Sequence, residues 1–208
     1  MRNIIPTLTD LIYTLNHSEK AAADFDKVLE TNAYFQREIL VGDIDPELGV
    51  AINTLIRVYN QYDNENNIPV AQRKPIKIFI DSNGGDLDAT FTIIDSIKLS
   101  KTPVWTINIG TAYSGGFFIF INGHKRFAAP LSTFLYHEGS TANVGDAGKF
   151  NNFADFYKKQ LELLKKITIS CTNITEEMYK EHQKDDWWID ANEALELGIC
   201  DEIVDKFI

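Results

Sequence analysis

Hydrophobic positions along this chain fall into short dense runs, separated by longer segments in which apolar residues recur every three or four places. The first run, Glu38 to Val41, is closed by Gly42 and predicts a strand, and Leu48, Ile52, Leu55, Ile56 and Tyr59 then predict a helix over Pro46 to Tyr62. Asp63 to Lys74 is polar and carries a proline, so an exposed loop is expected there. Ile76 to Ile80 predicts a buried strand, broken by Asp81-Ser82-Asn83-Gly84-Gly85 and followed by helical spacing from Leu87 to Leu99. Val104 to Ile109 repeats the pattern, with Gly110 as the expected strand end before Ala112-Tyr113-Ser114-Gly115-Gly116 and an apolar helix from Phe117. Arg126 to Ala129 and Thr133 to Tyr136 read as short strands on either side of Pro130. Phe150 to Ser170 is a long amphipathic helix without Gly or Pro, and Thr175 with Glu176 and Glu177 marks the start of another. Strands alternating with helices predict an α/β fold on a parallel sheet. Residues 1–36 show no clean period and are expected to form an N-terminal arm, leaving 37–208 as a single domain.

Composition narrows the possible partners. The chain has 208 residues, 44% of them hydrophobic, which suits one large core. Its formal net charge of -10 repels phosphate backbones and anionic membrane surfaces, so neither nucleic acid nor membrane is an expected partner. Cys171 and Cys200 are not in C-x-x-C spacing and suggest neither a disulfide framework nor a zinc site, which fits a reducing compartment. Charged residues interrupt the first thirty positions and no run approaches the length of a membrane span, so a cytoplasmic protein is expected.

Candidate chemistry concentrates in three places. Ser114 lies between a predicted strand and an apolar helix, flanked by Gly115-Gly116; such a turn exposes the hydroxyl and frees the helix's first N–H groups to stabilise an oxyanion. Gly84-Gly85 follows another buried strand and could bring a backbone N–H close to a ligand. The Asp and Asn residues around it, Asp81, Asn83, Asp86 and Asp88, fail the order of a calcium loop, so no metal is expected, and Asp86 and Asp88 suit the following helix N-terminus. Of His17, His124, His137 and His182, His137 ends a strand ahead of Glu138-Gly139, where a side chain can lean into a cleft and serve as base to a hydroxyl. A carboxylate to orient it could come from Asp185 or Asp186; residue pattern alone does not rank them. Taken singly, each feature has a plainer structural reading: a small residue in a tight turn, a satisfied histidine, a solvated charge pair.

Together these pieces resemble the proteolytic subunit of the Clp proteases. The resemblance runs from about Arg37 to Asp205 and rests on DSNGG at 81–85 in place of N-S-P-G-G, GTAYSGG at 110–116 for G-x-A-x-S-x-G, and HKRFAAPLSTFLYHE at 124–138. WWIDANEALELGICDEI at 187–203 is similar to the family's R-F-L-S-A-x-E-A-x-x-Y-G-L-I-D, and the aspartate just before that run selects Asp186 over Asp185 by analogy. The resemblance implies a spiral of repeated strand-strand-helix units, shared with crotonase-type enzymes, with Phe150 to Ser170 as a protruding handle helix. It implies a triad of Ser114, His137 and Asp186, with the Gly85 and Gly115 N–H groups as oxyanion hole. It further implies seven-membered rings that can stack in pairs, unfolded polypeptides as substrate, and a separate AAA+ unfoldase. No cofactor is implied, and without a GxxxxGK[ST] loop any ATP hydrolysis belongs to that partner. Asn83 and Gly139 stand where the family has prolines, and Asp185 where it usually has arginine. Competing readings are an inactive ring subunit, a crotonase-type acyl-CoA enzyme, and a serine-lysine peptidase of the signal peptide peptidase A type.

Overall fold

The computed structural model describes residues 32–139, 141, 145–206 and 208. The chain divides into two compact units, Met1–Glu38 and Ile39–Ile208. Nearly all of the expected N-terminal arm lies outside the described residues; Asn32 to Gln36 form a short helical stretch. Everything below concerns the second unit, together with the strand that leads into it.

The elements follow in the order β1 (Glu38–Val41), α1 (Pro46–Glu65), β2 (Ile76–Ser82), α2 (Leu87–Leu99), β3 (Val104–Tyr113), α3 (Gly115–Ile121), β4 (Lys125–Ala128), β5 (Thr133–Tyr136), α4 (Ala147–Cys171), α5 (Glu176–His182), β6 (Trp187–Asp190), α6 (Ala191–Glu196) and β7 (Glu202–Ile203). They build a seven-stranded α/β sheet whose main path is β1-β2-β3-β4-β7, with β5 branching from β3 and pairing with β6. The first half of β3 pairs in parallel with β4, Trp105 to Asn108 against Lys125 to Ala128. Its last residues, Thr111 to Tyr113, instead pair with Thr133 to Leu135 of β5. One long strand therefore serves two sheet directions, and the sheet turns where β3 changes partner. The β5–β6 pair is antiparallel, whereas β2–β3, β3–β4, β3–β5 and β4–β7 are parallel.

Local chemistry accounts for these elements. In β2, Ile76, Ile78, Ile80 and Ser82 are buried while Lys77, Phe79 and Asp81 are not, the two-residue period of a strand with one face on the core. The buried isoleucines of that face join one core cluster with Ala89, Ile93, Ile94 and Ile97 of α2. Each such isoleucine, fully buried, contributes about 1.5–3 kcal/mol. Helix starts are capped by side chains: Asp45 accepts from Leu48 N–H, Asp86 from Ala89 N–H and Asp146 from Lys149 N–H. Thr175 accepts from Met178 N–H, as its sequence position predicts, and Asp190 with Glu193 forms a full capping box on α6. Arg126 joins three late segments, donating to Asp201, to the Cys171 carbonyl at 2.6 Å and to the Gly198 carbonyl at 2.9 Å.

Two expectations need correction. The polar stretch from Asp63 is not wholly an exposed loop: α1 continues to Glu65, and Val70–Gln72 forms a 3-10 turn. Asp63 is fully buried and accepts a 2.7 Å hydrogen bond from the Thr102 hydroxyl, so a charged residue in a polar run faces inward because a partner waits there. Gly110 does not end its strand either, for β3 runs on to Tyr113. The long helix agrees with its pattern and is longer, 25 residues or about 37 Å. Only Leu164, Ile167 and Thr168 on it are buried, so its first four turns project from the core.

Candidate active site

The end of β2 and the end of β3 meet through an irregular register. Ile80 pairs with Asn108, but Ser82 pairs with Ala112, so β3 takes four steps where β2 takes two. The bulge is closed by side chains. Asp81 Oδ1 accepts from both the Thr111 N–H and the Thr111 hydroxyl at 3.0 Å, and Asn108 Oδ1 accepts from the Gly110 N–H at 3.1 Å. Asn108 is fully buried and also donates to the Thr133 carbonyl at 2.9 Å.

Beyond the bulge, β3 delivers Ser114 to the start of α3 in an unusual conformation, with φ 53° and ψ -118°. A non-glycine residue held there costs on the order of 1–3 kcal/mol and persists only where its surroundings enforce it. Here the Ser114 N–H donates to the Leu135 carbonyl at 2.9 Å, and Gly84 packs against the serine. A Cβ on Gly84 would stand 2.7 Å from Ser114 Cβ, and its φ of +100° is one that only glycine adopts readily.

Gly85 is turned by a parallel bridge to Ile44. The Ile44 N–H donates to the Gly84 carbonyl at 3.0 Å and its carbonyl accepts from the Asp86 N–H at 2.7 Å. Both backbone groups of Ile44 are thus taken by the residues that flank Gly85. A Cβ built on Gly115 would stand 3.7 Å from the Gly85 nitrogen, which puts the two glycine backbones side by side. Neither N–H has an acceptor among the described residues, whereas the Gly84 N–H is taken by Ser82 Oγ at 3.0 Å.

The histidine and the carboxylate are brought together by strand register. The β5–β6 ladder pairs Thr133 with Asp190 and ends with Tyr136 opposite Trp187. One step further along the same antiparallel register, His137 falls opposite Asp186, and Asp185 falls a residue out of place. Accordingly His137 Nδ1 lies 3.5 Å from Asp186 Oδ1, with side chains 33% and 59% exposed. That is a loose polar contact, longer than a well-formed N–H···O bond. Asp185 instead donates its N–H to the His182 carbonyl at 3.1 Å, and His182 stacks on Trp187 with ring centroids 4.1 Å apart.

Ser114, His137, Gly85 and Gly115 line one cleft of about 530 Å³. Its walls come from the start of α2, from Phe118 of α3 and from the projecting α4, which contributes Phe153, Phe156, Tyr157, Gln160 and Leu164. Gln160 reaches across to Asp88 at 3.3 Å, and the Tyr157 hydroxyl donates to the Glu138 carbonyl at 3.1 Å, tying the segment after His137 to α4. Burial, with the nearby Glu138 charge, raises the Tyr157 pKa, so this phenol stays a donor at neutral pH. Burial first, and then a hydrogen bond to Tyr179, does the same for Tyr136 beneath the histidine.

The remaining sequence candidates do other work. His124 Nδ1 accepts the Val104 N–H at 3.1 Å; burial lowers its pKa, partly opposed by a backbone hydrogen bond with Ile97. His17 lies outside the described residues. The acidic residues around Gly84 are dispersed among Thr111, the α2 N-cap and Gln160, and the described residues hold no group of three or more metal-type side chains. Residue patterns missed the network of Asp81, Asn108, Gly110 and Thr111, although a glycine inside a strand run is the usual mark of a bulge. Tyr157 was hidden in an amphipathic helix, where nothing distinguishes one aromatic from another.

Known proteins share this architecture. A family model described as Clp protease matches residues 69–207. A curated protein of Treponema pallidum, "ATP-dependent Clp protease proteolytic subunit 2", is 31% identical over 194 residues, covering 91% of each chain. Its namesake from Treponema denticola is 30% identical over 182 residues, covering 86% of this chain and 87% of its own. Among solved structures, a ClpP1 point mutant from Listeria monocytogenes superposes with a TM-score of 0.72 at 26% identity, covering 86% of this chain and 96% of its own. No described helix is long and apolar enough to cross a membrane.

Proposed function

Because the chain belongs to the Clp protease family, we propose that it is a proteolytic subunit that cleaves peptide bonds of unfolded polypeptides through Ser114, His137 and Asp186. One observation carries the assignment: a strained serine, a histidine with a carboxylate in ion-pair reach, and two uncommitted N–H groups all converge on one cleft. In this reading Ser114 Oγ attacks the peptide carbonyl while His137 Nε2 takes its proton, and His137 later returns that proton to the leaving amine. Asp186 holds Nδ1–H and stabilises the imidazolium. The N–H groups of Gly85 and Gly115 receive the oxyanion, and losing a donor of this kind typically costs on the order of 100- to 1000-fold in rate. The chemistry needs no cofactor.

The loose His137–Asp186 contact suits a resting subunit, since catalytic hydrogen bonds often tighten only when substrate is bound. Rings of seven subunits, a cytoplasmic setting and a separate AAA+ unfoldase complete the reading; the names of the relatives, subunits of an ATP-dependent protease, support an ATP-consuming partner. A crotonase-type role is not favoured by these relatives. Hydrolysis of a short fluorogenic peptide by wild type and Ser114→Ala, with native mass recorded on both, tests the proposal. Cleavage by the assembled wild type alone is expected. Assembly of both without cleavage by either would replace it with an inactive ring subunit.

A further inference from the structure

The bulge that precedes Ser114 is a point of weakness in an otherwise regular ladder. Register in a parallel pair is held by successive hydrogen bonds, and a strand with slack can slip, moving every later side chain. Between Asn108 and Ala112, β3 has such slack, and its next residues lead directly into the nucleophile turn. The slack is taken up from β2. The Asp81 carboxylate receives both donors of Thr111, three residues before Ser114, and sits so close over Gly110 that any Cβ there would collide with it. Asn108 secures the other end of the bulge from within the core.

We propose that Asp81 is a positioning residue for Ser114: by holding Thr111 it sets how far β3 bulges, and so where the serine hydroxyl stands relative to the Gly85 and Gly115 N–H groups. The inference rests on the reading of Ser114 as nucleophile. Asp81 is exposed and does not line the cleft, so it touches neither substrate nor the reacting atoms. Its effect passes through covalent geometry, along Thr111, Ala112 and Tyr113. On its other edge this segment is paired with β5 from Thr111 to Tyr113, and the Ser114 N–H bond to the Leu135 carbonyl continues that pairing, so Asp81 supplies the hold from the β2 side, where the ladder is interrupted.

Labelling by a fluorophosphonate probe, which reads the reactivity of Ser114 directly, should be measured for wild type, Asp81→Ala, Asp81→Asn and Thr111→Val, beside peptide kcat, KM and the urea midpoint. Asp81→Ala should slow labelling and kcat on the order of 100-fold, the scale of a displacement near 1 Å, with KM little changed. Asp81→Asn keeps a carbonyl acceptor for Thr111 and should recover most of the rate. Thr111→Val, losing one of the two bonds, should fall between. An Asp81→Ala protein that is labelled as fast as wild type overturns the inference, as do rates that fall only in step with the fraction unfolded. A wild type that is not labelled at all overturns the nucleophile reading, and this one with it.

Discussion

The two halves of the candidate site are held very differently. On the serine side, Ser114 is fixed by a strained backbone, by the Leu135 carbonyl, by a glycine packed on its Cβ and by a bulge closed with four side-chain hydrogen bonds. On the histidine side, His137 and Asp186 project from the end of a four-pair ladder, are one-third or more exposed and stand 3.5 Å apart. The segment after His137 turns through Gly139 at φ +76° and is secured by the Tyr157 hydroxyl. The contrast teaches that Ser114 is fixed by the end of a core strand and the backbone packed on it, while His137 is set from the side by an edge pair and the projecting α4. A rigid half and an adjustable half make the site sensitive to whatever α4 packs against.

The largest expected effect is on the adjustable side. Asp186→Asn should lower kcat about 10⁴-fold by presenting the wrong tautomer partner, whereas Asp185→Asn, one register step away, should leave kcat unchanged; equal losses would refute the register argument. Steady-state peptide hydrolysis reads both. On the rigid side, Gly84→Ala should cost on the order of 100-fold in activity by pushing Ser114 from its place, and should also lower the urea midpoint, since the strain has no local relief. A variant that loses stability but not rate would show the serine side to be less constrained than its geometry indicates. Next in size, Tyr157→Phe removes one hydrogen bond to the Glu138 carbonyl and should reduce kcat about 2- to 12-fold, with stability nearly intact. The smallest effect concerns stability away from the cleft. Burial lowers the His124 pKa, so below about 6.5 the unfolded chain binds the proton more readily and stability is lost as pH falls toward the folded value. Urea midpoints at pH 7.5 and 5.5 should differ less in His124→Gln than in wild type.

Much of this was legible from residue patterns because it depends on local chemistry. The dense apolar run Ile76 to Ile80, helical spacing in α1 and α2 and the absence of Gly or Pro from Phe150 to Ser170 each follow from neighbours in the chain. So does the cap at Thr175. The choice between Asp185 and Asp186 could not be made that way, since adjacent aspartates differ only in which one faces His137. That depends on the pairing of β5 with β6, whose partner residues lie about fifty positions apart. Asp63 was misjudged for the same reason: its partner, Thr102, comes from a distant segment.

The sequence by itself determined that this is an α/β protein with a serine at a strand-to-helix turn, glycines where a backbone must come close, and a long exposed helix. Those are consequences of period, residue size and backbone freedom, which act over a few residues. Tertiary structure alone decided the change of partner along β3, the bulge that Asp81 and Asn108 close, and the cleft that α4 completes. Each of these depends on register between strands far apart in sequence, and register is settled only when their faces are buried together.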